Sequence, residues 1–136
     1  MLKKPLFWET IIFFAIAVAL HIVATVFHLY WSIYEFDSLT HFFFGAALAF
    51  LFLWFYFFSG FFGAPPKNFA RFLLISFFGA ISVALLWESY ELIFKQTMVQ
   101  KADYPYDTMM DLIMDFLGAV AACLYGYFKV LGKDNG

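Results

Sequence analysis

The stretch "DTMMDLIMDFLGA" (residues 107–119) sets Asp107, Asp111 and Asp115 four residues apart in a run otherwise made of Thr, Met, Leu, Ile, Phe, Gly and Ala. A spacing of four lines up one helical face, and in a water-soluble protein that face is ordinarily the wet one. Composition removes the water. The chain has 136 residues, of which 65% are hydrophobic, 13% are charged and 22 are Phe; its mean hydropathy is +0.83. Too little polar surface remains to wrap a soluble core. The aspartate stripe therefore opens a membrane helix, and the chain reads as an all-α, multi-pass integral membrane protein.

Working outward from this stretch, the sequence divides into four apolar runs, each near the roughly 20 residues that a bilayer-spanning helix needs. They cover residues 8–31, 37–58, 69–95 and 107–128. "SIYEF" (32–36) makes the first turn, "SGFFGAPPKN" (59–68) the second, with a Pro pair that no helix continues through, and "QTMVQKADYPY" (96–106) is the longest polar stretch. The spans use up nearly every residue, which predicts one transmembrane four-helix bundle over 1–136. A cleaved signal peptide is the rival reading of the N-terminus, after Lys3 and Lys4. It is disfavoured by the length of the run and by His21 and His28 within it. The single Cys123, among Ala, Val and Leu, excludes an intramolecular disulfide and reads as packing.

Basic residues set the expected orientation. With four spans, Lys3, Lys4, Lys67, Arg71, Lys129 and Lys133 share one side, and only Lys95 and Lys101 fall on the other. This bias predicts cytoplasmic termini and a location in the cell membrane.

On that topology the ionisable groups gather in the outer half. Asp37 and His41 open the second span, Glu88 and Glu91 lie near the outer end of the third, and the three aspartates open the fourth. His28 falls in the last turn of the first span, with His21 two turns deeper. The helical period continues the aspartate stripe into Gly118 and Ala122, and the Asp37–His41 stripe into Gly45. Small residues mark close helix contact, and polar ones point into a bundle. An aspartate at mid-membrane costs about 2.5–3.5 kcal/mol on insertion scales. Six carboxylates (Asp37, Glu88, Glu91, Asp107, Asp111, Asp115) face at most three histidines and Lys95, so the group needs shared protons, water or a bound cation. Oxygen-rich ligation with imidazole suits a divalent Mg, Mn, Zn or Fe ion. His41, Glu88, Asp111, Asp115, Asp37 and His28 are the candidate metal ligands, with Glu91 and Asp107 as candidate catalytic groups. Structural readings compete with these: Asp107 and Asp37 as helix N-caps, His21 as a cross-helix hydrogen-bonding group, and His28 and Glu9 as interfacial residues.

"DSLTHFFFGAAL" (37–48), "WESYE" (87–91) and "YDTMMDLIMDFLGA" (106–119) together resemble the ordered pattern of the YjdF-like and VanZ-like small membrane proteins: an Asp-x-x-x-His-Phe opening, a Glu-bearing helix, and an Asp-x-x-x-Asp/Asn-x-x-Gly close. The resemblance covers roughly the last 100 residues and matches Asp37, His41, Glu88, Glu91, Asp107, Asp111 and Gly118. Two positions depart from it. Asp115 stands where Asn or a small residue is common, and Ser38 where VanZ-like proteins often carry Lys. The resemblance implies a link to the cell envelope, through glycopeptide resistance in the VanZ-like branch, and supplies no reaction.

Three functions are compatible with these residues. One is a metal-dependent membrane hydrolase or transferase acting on an amphipathic or lipid-linked envelope substrate. The others are a cation- or proton-coupled carrier and a non-catalytic assembly protein. A carrier needs polar groups through the cytoplasmic half, where the inward faces offer mainly Ala, Gly, Thr10, Ser76 and Tyr125. No basic patch for nucleic acid and no Ser-His-Asp or phosphate-loop pattern is present. Membrane lipids are the expected surroundings, and a homo-oligomer is left open.

Overall fold

A computed structural model describes residues 5–33, 35–94 and 104–132. Among the described residues, four helices are long and apolar enough to cross a membrane: α1 (Phe7–Val26), α3 (Phe36–Phe58), α4 (Phe69–Phe94) and α5 (Tyr104–Leu131), with a one-turn helix α2 (Leu29–Ser32) between the first two. The fold is an all-α membrane helical bundle. Lys3, Lys4, Lys95, Lys101 and Lys133, on which most of the charge asymmetry rests, lie outside the described residues, as does Asp103.

The first apolar run does not remain one helix. Thr25 Oγ1 donates back to the His21 carbonyl at 2.8 Å, a local bond that competes with regular helix geometry. The chain then leaves α1 at Phe27 and turns through His28, whose φ of 55° is left-handed. His is among the side chains that tolerate this region. The turn folds α2 back beside the end of α1.

The remaining boundaries have plain causes. α3 ends before Gly60, at φ +90°, and the connection passes through Gly63, at φ +70°, both open to the side that a Cβ would occupy. Asn68 Oδ1 accepts from the Arg71 amide at 3.0 Å and so caps α4. α5 begins at Tyr104, which puts Asp107 in its first turn instead of at the N-cap expected from the sequence. Asp37 is likewise inside the first turn of α3.

α3 is the centre of the bundle. It packs against α1, α4 and α5, whereas no described Cα of α1 comes within 8 Å of α4 or α5. The α3–α5 crossing is the tightest. A Cβ added to Gly45 would lie 2.2 Å from the Asp115 carbonyl oxygen, and one added to Gly118 would lie 2.1 Å from that of Phe42. Glycine is required on both sides because the two backbones touch there.

Beyond this crossing, away from the carboxylates, the core is apolar: Ala46, Ala49, Phe50, Leu53, Phe57, Phe72, Ala119, Ala122, Cys123 and Val130. Phenylalanine therefore serves two solvents. Phe57 stacks on Phe72 at 4.4 Å between centroids and joins α3 to α4, while Phe78, Phe94 and Phe128 face outward into the lipid. At this end a buried Leu6 lies against Gly126, and Glu9 pairs with Lys129, fastening the start of α1 to the end of α5.

Candidate functional site

The site is built at the other end of the same helices. His41 stands one turn into α3 beyond Asp37, and Asp111 and Asp115 stand one turn apart on α5, so the close crossing at Gly45 and Gly118 brings both pairs face to face. His41 Nδ1 donates to Asp115 Oδ2 at 2.9 Å. That bond fixes the ring and leaves Nε2 pointing at Asp111 Oδ2, 3.7 Å away, and Asp37 Oδ1, 3.8 Å away. Both distances are beyond hydrogen-bond reach.

Burial makes the arrangement expensive on its own. Asp111 is 5% exposed and Asp115 2%. Asp115 is satisfied by the imidazole. Asp111 Oδ1 has no hydrogen-bond partner among the described residues, which is an unusual state for a carboxylate oxygen away from water. The ring's second nitrogen, Nε2, thus lies between two carboxylates without a hydrogen bond to either of these two oxygens.

The geometry sorts the sequence-derived candidates. Asp37, His41 and Asp111 each offer one ligand atom, and these atoms lie within 4.8 Å of one another. Metal–ligand bonds of about 2.0–2.2 Å place ligand atoms roughly 3–3.5 Å apart, so His41 Nε2 would move a few tenths of an ångström closer to each carboxylate oxygen to share one ion with them. Asp115 holds the imidazole from behind instead of joining the triangle, the arrangement in which a carboxylate sets the tautomer of a ligating histidine. Glu88, 5% exposed, accepts from Thr108 Oγ1 at 2.9 Å and ties α4 to α5 beside the group. Glu91 lines the neighbouring cavity. Asp107 is half-buried at the mouth of α5. His28 is not brought in: it is exposed at the α1–α2 turn, and its backbone carbonyl accepts from Ser32 Oγ.

A cavity of about 340 Å³ runs alongside the group, between α1 and α4 and against α3. His41, Asp37, Asp115 and Glu91 form part of its wall, with Phe14, Phe44, Leu48, Val83 and Trp87 on the apolar remainder. Tyr30 and His21, hydrogen-bonded to each other at 2.8 Å, complete it. Burial, reinforced by the carboxylates of Asp37, Glu91 and Asp111, pushes the Tyr30 phenol up to about 12, so it remains a neutral hydroxyl. Tyr30 escapes a sequence reading because the run 8–31 looks continuous, and only the break at His28 turns Tyr30 toward the acids. Thr108, which follows Asp107 directly, is legible as a polar neighbour but not as the partner of Glu88.

Fold and site define a small four-span membrane protein with a buried histidine–carboxylate group at one end. The chain belongs to the family described as "Predicted membrane protein (DUF2238)", whose profile matches residues 2–131. No curated protein and no solved structure matches it significantly.

Proposed function

We propose that this protein binds a divalent cation through Asp37, His41 and Asp111, and uses it on an amphipathic or lipid-linked substrate of the cell envelope. One observation carries the reading: an imidazole nitrogen and two carboxylate oxygens from two helices converge within 4.8 Å of one another, while Asp115 bonds the opposite ring nitrogen and so holds the imidazole in the orientation that ligation needs. The orphaned Asp111 Oδ1 adds a second acceptor to the same centre. One nitrogen and several oxygens suit Mn, Zn, Mg or Fe.

Three protein ligands beside a cavity leave coordination positions open, as in catalytic and not structural sites. A divalent cation held there supplies Lewis acidity and a water of lowered pKa. The chain's own residues do the rest. Asp115 fixes the His41 tautomer, Glu91 on the cavity wall is placed to take up a proton, and the apolar walls exclude bulk water. The reaction class is hydrolysis or group transfer.

A carrier is less well supported, since the α3–α5 interface beyond Gly45 and Gly118 is apolar and offers no polar route to the opposite end. A pure assembly role leaves the convergence of three ligand atoms beside a cavity without a reason. The basic-residue bias orients the site to the outer face. Glu35→Cys, at the site end, should label in intact cells with an impermeant thiol reagent, and Asn68→Cys should not; the buried Cys123 stays silent. The reverse pattern would place the site on the cytoplasmic side.

Elemental analysis of purified protein tests the centre itself. Wild type should carry near-stoichiometric divalent metal, or take it up on titration, and Asp111→Asn should not. Equal metal content in both proteins, or none in either after titration with all four ions, would sink the reading.

A further inference from the structure

We infer that the space between α1 and α4 admits, sideways from the membrane, the hydrocarbon chain of an anionic amphiphile whose charged end is held at the Asp37–His41–Asp111 group through the bound cation. This rests on the metal reading above and adds to it the class of ligand and its route.

The route follows from how the helices pack. α3 backs both neighbours, but no described Cα of α1 comes within 8 Å of α4, so no direct helix–helix contact seals the cavity between these two spans. Phe14 on the α1 wall is 43% exposed and Trp87 on the α4 wall 45%, so neither side chain is packed shut against the other. In a bilayer that opening meets hydrocarbon, not water. Lateral entry suits a solute that is already dissolved in the membrane.

The shape specifies the occupant. The cavity is divided along its length: Phe14, Phe44, Leu48 and Val83 are apolar, and Asp37 and His41 stand at the end nearer the membrane surface. His41 and Leu48 are seven residues apart on α3, about 10 Å at 1.5 Å per residue. That length accommodates the part of a chain next to its polar end, with the remainder lying in the lipid. A volume of about 340 Å³ falls at the small end of the range for ligand pockets, about 300–1,000 Å³. One chain fits there better than two. The charge at the polar end decides the headgroup. Carboxylates alone would repel an anion, but a divalent cation with open positions attracts one, and Tyr30 and His21 add hydrogen-bonding groups beside it.

The test uses the full-length protein in lipid nanodiscs with a single-chain alkyl phosphate that carries a diazirine a few carbons from the phosphate. Photolabelling is mapped by mass spectrometry with Mn²⁺ present and after chelation. Insertion at Leu48 and Val83 should exceed that at the outward-facing Leu86 and Ile93 by at least fivefold, and should fall several-fold on chelation. Ala84 lies on the α4 wall of the cavity, and Ala84→Trp, which fills it, should abolish the excess while leaving Mn²⁺ uptake intact. Val83→Phe provides a milder obstruction if Ala84→Trp does not fold. Inorganic phosphate at the same concentration should compete poorly, because it lacks the chain.

Labelling spread evenly over the outward faces, or a cavity signal untouched by both obstructing variants, would overturn the inference. So would cavity labelling indifferent to chelation, or full competition by inorganic phosphate. Mn²⁺ titration of the same samples keeps the two readings apart. Metal uptake without cavity labelling defeats the amphiphile alone, whereas wild-type protein that takes up no metal defeats the metal centre, and the cation-held headgroup with it.

Discussion

Along the single interface between α3 and α5, the half beyond Gly45 and Gly118 is built from Ala46, Ala49, Phe50, Leu53, Ala119, Ala122 and Cys123, and the other half from Asp37, His41, Asp111 and Asp115. The helices, their crossing and their burial are shared. Only the chemistry differs. The apolar half of this interface is explained by packing, because its buried side chains gain dispersion contacts with one another. The polar half gains nothing comparable: a buried ion pair roughly breaks even against well-packed hydrophobic residues, and an unpartnered carboxylate oxygen is a net cost. The contrast teaches that the fold is held by one half and that the other half is tolerated for a different reason. Function is the reason that fits.

The comparison breaks most completely if the crossing itself is removed. Gly118→Val and Gly45→Val each drive a side chain into the facing helix backbone, which has no rotamer by which to yield. Overpacking against mobile side chains costs about 1–3 kcal/mol, and backbone contact should exceed that. Neither variant should yield folded protein by size-exclusion and thermal melting in detergent. A well-folded Gly118→Val would mean that the two halves are not set by one crossing.

Within the apolar half, Phe50→Ala should cost about 3–5 kcal/mol, since Phe50 is 2% exposed and meets Phe13 edge-on at 5.2 Å. Its response to divalent metal should be unchanged. In the polar half the signs reverse. Asp111→Asn should melt at or slightly above the metal-free wild type, while losing a metal-induced gain that reaches about 2.7 kcal/mol at a hundredfold excess over Kd. Asp115→Asn should retain part of the gain, because the amide oxygen still accepts from His41 Nδ1 and so still sets the ring. If Asp111→Asn and Asp115→Asn lost the response equally, Asp115 would be a ligand and not the group that orients one.

Much of this was legible in the sequence, for definable reasons. Apolar length marks spans, and a period of four puts Asp111 and Asp115 on the stripe that continues into Gly118, where α5 meets α3. The convergence of Asp37, His41 and Asp111 follows from two such stripes meeting. Periodicity along one helix carries no information about which groups on the other helices come within bonding distance. Glu88 finds Thr108, and Asp115 takes the rear of the imidazole, only because of the depth at which α4 and α5 cross their neighbours. The break before α2 was hidden because Phe27, His28 and Leu29 carry no Gly or Pro, and a left-handed histidine leaves no compositional mark.

That break gives the smallest and most selective prediction. His28 was a candidate ligand by sequence position, yet it is exposed, lies at φ 55° and faces no member of the group. A left-handed backbone costs a non-glycine residue about 1–2 kcal/mol, which glycine avoids. Against this, glycine gives the unfolded chain about 0.4–1 kcal/mol of extra conformational entropy to lose. His28→Gly should therefore raise stability by a few tenths to about 1 kcal/mol. Metal content and the metal-induced shift should match wild type. His21 and Tyr30 would keep their bond, because the turn that brings them together is the one glycine adopts most readily. A stabilised His28→Gly protein that has lost its metal would return His28 to the site and imply that α2 closes over it. A destabilised one with metal retained would mean that the imidazole holds the α1–α2 turn in a way its exposed position does not suggest.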